Sequence, residues 1–193
     1  MIINPNLKVI LIGDANVGKT SLLLYLLQQK IDKDVKPTIG VSFIQYDICL
    51  PDGSAKLLDI WDTTGDERYK SILPSYFRKT SVAIVCFDVT NKNSFDSVDS
   101  WVQMSKTHCG ENVKIIIVAT KSELEHVVPR SEVERYCNTN NLDLFYSSAA
   151  KGENVVEIFV KAASIATPIE TSEQTIDLID MKEKDEEEAP GCC

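Results

Sequence analysis

The sequence has no excess of positive charge: 20 Lys and Arg stand against 29 Asp and Glu, a formal net charge of −9. Nine acids and two lysines of that balance lie from Pro168 onward, a net −7, which leaves −2 for the first 167 residues. Neither part has the basic face that nucleic-acid binding needs, so no nucleic-acid partner is expected. No apolar run approaches the ~20 residues of a spanning helix. The start, Met1–Asn6, lacks the basic region and long apolar core of a signal peptide, which implies a chain kept in the cytosol. Cysteine is sparse in the body of the chain, and Cys49, Cys86, Cys109 and Cys137 show no metal-ligand spacing. In a reducing compartment they imply no disulfide framework, and Cys49 and Cys86 read as small core hydrophobes within strands.

What is present is organised around Gly13-Asp14-Ala15-Asn16-Val17-Gly18-Lys19-Thr20-Ser21. This stretch follows the apolar run Leu7–Ile12 and precedes the helical-looking Leu22–Gln29, so it falls at a strand-to-helix turn. In that setting G-x-x-x-x-G-K-[ST] is a phosphate cradle. Backbone N–H groups of Ala15 to Ser21 converge on an anion, and the helix N-terminus adds about half a positive charge. Lys19 reaches the β- and γ-phosphates, and the Thr20 hydroxyl is a ligand for Mg²⁺.

Apolar runs of strand length then alternate with segments of helical period. Strands are expected over Leu7–Ile12, Val41–Leu50, Lys56–Trp61, Val82–Val89, Val113–Ala119 and Leu142–Tyr146. Pro51-Asp52-Gly53-Ser54 is a turn signal that makes the second and third a hairpin. Helices are expected over Ser21–Gln29, near the end of the polar stretch Asp62–Ser75, over Asn91–Lys106, from a capping box at Ser131-Glu132-Val133-Glu134 to about Asn138, and over Asn154–Ile165. The pattern gives an α/β fold: a mostly parallel six-stranded sheet with one antiparallel hairpin strand, helices on both faces, and the ligand at the strands' C-terminal ends. Residues 1–167 form the domain. Residues 168–193 read as a flexible acidic tail ending in Cys192-Cys193.

Two further stretches extend the cradle. Trp61-Asp62-Thr63-Thr64-Gly65 ends a strand with a carboxylate placed to hold Mg²⁺ through water and a glycine N–H for the γ-phosphate. Thr38, 19 residues after Lys19, offers a second hydroxyl for the metal. Loops that touch γ-phosphate and metal only in the triphosphate state form a switch.

With these stretches in place, the chain resembles the Rab subfamily of Ras-like small GTPases over nearly its whole length. The marks are Gly13–Ser21, Thr38-Ile39-Gly40-Val41-Ser42-Phe43, Trp61–Tyr69, Tyr76-Phe77-Arg78, Phe87-Asp88-Val89-Thr90 and the terminal Cys-Cys. The resemblance implies a P-loop G domain that binds GTP, GDP and Mg²⁺ and acts as a switch in vesicle traffic. It implies effector proteins, an exchange factor, a GTPase-activating protein and prenyl-delivery and extraction proteins as partners. Phe43, Trp61 and Tyr76 match the subfamily's aromatic triad beside the switches, an effector surface that Ile39 and Val41 extend; the alternative is plain core filling. Cys192 and Cys193 match its double-cysteine signal, with two geranylgeranyl groups anchoring the chain peripherally on the cytoplasmic face of an endomembrane. The acidic Asp185–Glu188 is unusual next to anionic lipid.

Several positions depart from the family. Asp66 stands where a glutamine usually orients the attacking water beside Gly65, and a carboxylate there is repelled by the γ-phosphate. Slow hydrolysis follows, unless Asp66 is a solvated loop acid and a partner supplies the missing group. The base-reading Asn-Lys-x-Asp appears as Thr120-Lys121-Ser122-Glu123, and Ser-Ala-Lys as Ser148-Ala149-Ala150. Glu123 keeps a carboxylate for guanine's ring N–H and amine but is one methylene longer. Thr120 lacks the amide that braces the phosphate loop in relatives. Ile31 replaces an aromatic that flanks the base. Losing a stacking ring and a good bidentate contact would each cost ~1–3 kcal/mol. A non-hydrolysing scaffold that docks partners through the same surface is the competing reading. A P-loop phosphotransferase is a third, without an obvious lid or second-substrate motif.

Overall fold

The computed structural model describes residues 7–30, 38, 40–65, 73–110 and 112–167. Ile31, Ile39, Asp66, Cys192, Cys193 and the whole expected tail lie outside the described residues.

The six strands are β1 (Leu7–Ile12), β2 (Val41–Cys49), β3 (Ala55–Thr63), β4 (Val82–Asp88), β5 (Lys114–Thr120) and β6 (Asp143–Tyr146). They form one sheet in the order β2-β3-β1-β4-β5-β6, in which only the β2–β3 pair is antiparallel. The continuous apolarity of the central strands is explained by two cores, one on each face. On β1, Val9 and Leu11 point into one core and Ile10 and Ile12 into the other. β4 and β5 divide the same way: Ile84, Cys86, Ile116 and Val118 face the first, Val85, Phe87, Ile117 and Ala119 the second. A strand covered on both faces has no use for alternation.

The helices are α1 (Lys19–Gln28), α2 (Leu73–Phe77), α3 (Lys92–Asp96), α4 (Val98–Cys109), α5 (Arg130–Asn140) and α6 (Val155–Ile165). α1 and α6 close the first core with Leu22, Leu26, Ile158 and Phe159. α2 to α5 close the second with Phe77, Phe95, Trp101 and Val133. The Pro51–Ser54 turn is fastened by Asp52, whose carboxylate accepts from the Ser54 N–H and hydroxyl.

Three local expectations change. The segment expected as one helix over Asn91–Lys106 is two, meeting at Ser97, whose N–H and hydroxyl both donate to the Asn93 carbonyl. The expected capping box does not form: α5 starts one residue earlier, at Arg130, with Pro129 at the cap position and no side-chain cap bond. Next to it, Glu132 accepts from Lys92 on α3 at 3.0 Å. Finally, β3 runs on to Thr63 rather than stopping at Trp61. Its register against β1 pairs Leu11 with Asp62, and the Thr63 hydroxyl donates to the Leu11 carbonyl. Asp62 is therefore fixed by the sheet, beside the end of β1.

Candidate functional site

At the C-terminal end of β1 the backbone turns sharply into α1. Gly13 and Gly18 have φ of 135° and 100°, and Asn16 between them has φ of 62°. Asparagine is one of the few non-glycine residues that enter the left-handed region readily. Gly13 is also a close-approach position, since a Cβ there would stand 2.1 Å from the Cys86 carbonyl oxygen of β4. α1 opens at Gly18 with no side-chain cap, so N–H groups of its first turn are left for an anion.

Lys19 is 5% exposed and folds back over the loop, donating to the carbonyls of Gly13 at 2.8 Å and Asp14 at 2.7 Å. Burial pulls its ammonium below the ordinary lysine range, and the nearby Asp62 and Asp14 oppose that pull. An ammonium has three N–H donors, so one more is available to a phosphate.

The residues expected around a metal are brought together from three elements. The Thr20 hydroxyl donates to Asp62 Oδ2 at 2.7 Å, and Thr38 Oγ1 lies 2.6 Å from Thr20 Oγ1. Asp62 Oδ1 is buried with no hydrogen-bond partner among the described residues. Burial pushes the Asp62 carboxyl above its ordinary range, against the bonds from Thr20 and Thr38 and the charge of Lys19. Two hydroxyls and a half-satisfied buried carboxylate are a hard-oxygen set, and they fit a Mg²⁺ ion. Gly65 closes the group from the far side: a Cβ on it would fall 2.2 Å from the Asp14 carbonyl carbon, so only glycine lets this segment lie on the phosphate loop.

The stretches expected to read a base converge beyond the cradle. Thr120 ends β5 behind Gly18, and its hydroxyl reaches the Val17 carbonyl at 2.5 Å and the Phe87 carbonyl at 2.8 Å. One hydroxyl proton serves one of these at a time. The brace expected to be missing at Thr120 is thus supplied by an oxygen rather than an amide. Lys121 pairs with Asp88, whose other oxygen takes the Thr90 N–H and hydroxyl. Burial raises Asp88, but the bonds from Lys121 and Thr90 outweigh it and hold the carboxyl below the usual range. Glu123 Oε2 is buried without a hydrogen-bond partner among the described residues. The Ser148 loop is closed by paired backbone bonds between Ser148 and Glu153, with Ala149 half-buried and Ala150 exposed at its turn. The Ser122 N–H to the Ser147 carbonyl joins the two loops at 3.1 Å.

The aromatic residues also meet. Phe43 lies 5.0 Å from Trp61, and Trp61 5.7 Å from Tyr76, between ring centroids. Phe43 is 48% exposed, Val41 half-buried. The Lys8 ammonium sits over the Trp61 ring at 4.7 Å and donates to the Arg78 carbonyl. Burial brings its pKa down to about 8. The strip has an exposed end at Phe43, while Trp61 and Tyr76 pack against the second core.

One pair escaped the sequence reading: Asp14 in the phosphate loop and Trp101 on α4, joined by a bond from the indole Nε1 to Asp14 Oδ1 at 2.8 Å. An acid inside a phosphate cradle asks for a partner, but nothing in the sequence marks Trp101, 87 residues on, as that partner.

The sequence matches the Ras family over residues 8–167. It is 37% identical over 161 residues to a Ras-related protein Rab-5B of Plasmodium falciparum (isolate 3D7), covering 83% of this chain and 78% of the relative. It is 34% identical over 165 residues to a GTP-binding protein, ypt5, of Schizosaccharomyces pombe, covering 84% and 78%.

Proposed function

The chain belongs to the Ras family and is a Rab-like small GTPase, and from that premise we propose that it is a guanine-nucleotide switch in membrane traffic with slow intrinsic hydrolysis. The observation that carries the reading is the convergence of Thr20, Thr38 and Asp62 on one point beside Lys19. Thr38 reaches the Thr20 hydroxyl at 2.6 Å and Gly65 lies against the Asp14–Ala15 peptide, so both flanking segments touch the phosphate loop.

In this reading Lys19, Gly18 and the N–H groups of Ala15 to Ser21 hold the phosphates. Thr20 and Thr38 ligate Mg²⁺, and Asp62 holds it through water. The ion, when bound, offsets phosphate charge. Gly65 senses the γ-phosphate, whose loss releases both flanking segments. Glu123 reads the guanine N–H and amine with its carboxylate, and the Ser148–Ala150 loop reads the ring oxygen. Thr120's hold on Val17 supports a phosphate loop still competent to bind, a property that a nucleotide-bound, non-hydrolysing scaffold would share. The Phe43–Trp61–Tyr76 strip docks effectors. Exchange and activating proteins act on the same segments. No helix among the described residues is long and apolar enough to cross a membrane, and geranylgeranyl groups on Cys192 and Cys193 would provide the anchor at the end of an acidic tail spanning 168–193.

Nucleotide identity and affinity test the reading. The natively purified chain is expected to carry guanine nucleotide, to bind GTP and GDP far more tightly than ATP, and to lose affinity when Mg²⁺ is chelated. Equal affinity for ATP, or none for any nucleotide, would overturn it. For hydrolysis, a carboxylate beside the γ-phosphate repels it and positions water poorly. Single-turnover assays should find Asp66→Gln faster than the parent on the order of tenfold, a barrier difference of ~1.4 kcal/mol. An ordinary rate unchanged in Asp66→Gln counts against the assignment.

A further inference from the structure

We propose that Trp101 is a positioning residue for polyphosphate binding: its indole N–H tethers the Asp14 carboxylate and keeps that charge turned away from the cradle. The inference rests on the nucleotide-binding reading above and concerns two residues that reading does not use. A carboxylate within an anion site is a liability, because like charges a few ångströms apart repel, and more strongly where water is excluded. Asp14 cannot be far from the phosphate position. Its own carbonyl accepts from Lys19 Nζ at 2.7 Å, and its charge is felt by the Lys19 ammonium.

The structure holds this carboxylate from 87 residues away. Trp101 lies on α4, is 3% exposed and packs in the second core with Phe95, Val98 and Val102. A ring so seated cannot follow a wandering partner, so its N–H fixes one Asp14 oxygen on the α4 side of the loop. The bond is charge-assisted, which makes it among the stronger neutral-donor contacts. The Asp14–Ala15 peptide is also where Gly65 presses, so the loop is held from two directions at the same residue. Without the indole no hydrogen bond from α4 would hold this oxygen away from Lys19 and whatever Lys19 binds.

The test uses the full chain and titrates GTP, GDP and inorganic triphosphate with Mg²⁺ against the parent, Trp101→Phe, Asp14→Asn and the double variant. Trp101→Phe is expected to weaken GTP and triphosphate by about tenfold and GDP by less, in line with the charge each carries. The double variant should return to within about threefold of the parent, because no charge remains to be aimed. A lost packing or loop-shape effect would not be rescued in this way. Unchanged affinity in Trp101→Phe, or a double variant as weak as Trp101→Phe, overturns the proposal. If Trp101→Phe does not fold, Asp14→Asn alone decides: its Oδ1 still accepts from Trp101, so affinity should match or exceed the parent, and a tenfold loss refutes the tether. A parent that binds triphosphate but no guanine nucleotide removes the switch reading and leaves the tether measurable. Binding of neither sinks both.

Discussion

Replacing Gly13 with alanine is expected to destabilise the fold by about 3 kcal/mol or more, lowering the melting temperature by roughly 6 °C or more for a chain of this size. The new Cβ would meet the Cys86 carbonyl oxygen at 2.1 Å and its carbon at 3.1 Å. Both belong to β4, which is buried on both faces and hydrogen-bonded to β1 and β5, so neither can retreat. The φ of 135° adds backbone strain that only glycine avoids. Gly53→Ala is the matched control. It has a φ of 82° but open space around the added carbon, so only strain of about 1 kcal/mol should appear. Thermal or urea unfolding of the two variants separates clash from strain. Equal effects would mean that the close approach at Gly13 is not what the position requires.

The second large effect is on ligand. Lys19→Met keeps the apolar stem and removes the ammonium, so nucleotide affinity should fall by at least about a hundredfold, near 2.7 kcal/mol, with the chain still folded. Calorimetric titration reads this directly, and a loss under fivefold would contradict the role given to Lys19. A pH dependence accompanies it. In the empty protein burial holds the Lys19 pKa below the ordinary 10.5, and a bound polyphosphate favours the charged form and raises it. Between the depressed value and the raised one, the complex binds more protons than the free chain. Affinity should therefore decline as pH climbs through that window, with proton uptake on binding visible as a buffer-dependent heat. Lys19→Met should show neither.

Much of this architecture was legible in the chain itself, for reasons that are local. Val9 to Ile12 and Val82 to Phe87 are apolar without alternation because each strand serves two cores. The cradle was legible because its glycines, Lys19 and Thr20 sit within one turn of each other. Thr38 and Asp62 are legible only as a second hydroxyl and a carboxylate at a strand end; what puts Asp62 beside Thr20 is the register of β3 against β1. The misreadings came from competition between local signals and distant ones. Ser131 and Glu134 spell a capping box, but Pro129 sets the start of α5 and Glu132 pairs with Lys92. At Thr120 the sequence shows a hydroxyl in place of an amide, and whether that hydroxyl reaches Val17 depends on how closely β5 approaches it, a packing distance rather than a spacing. The Asp14–Trp101 bond was out of reach for the same reason, joining residues on separate elements that only the finished second core brings together.

Hydrogen–deuterium exchange across Thr38 and Gly65, in the GTP-bound and GDP-bound forms of the full chain, tests the central claim most directly. Slower exchange in both segments with the triphosphate, lost together on hydrolysis or on chelation of Mg²⁺, is the result the site geometry predicts. Indistinguishable exchange in the two forms would contradict it, and would leave a nucleotide-holding body with no movement to signal.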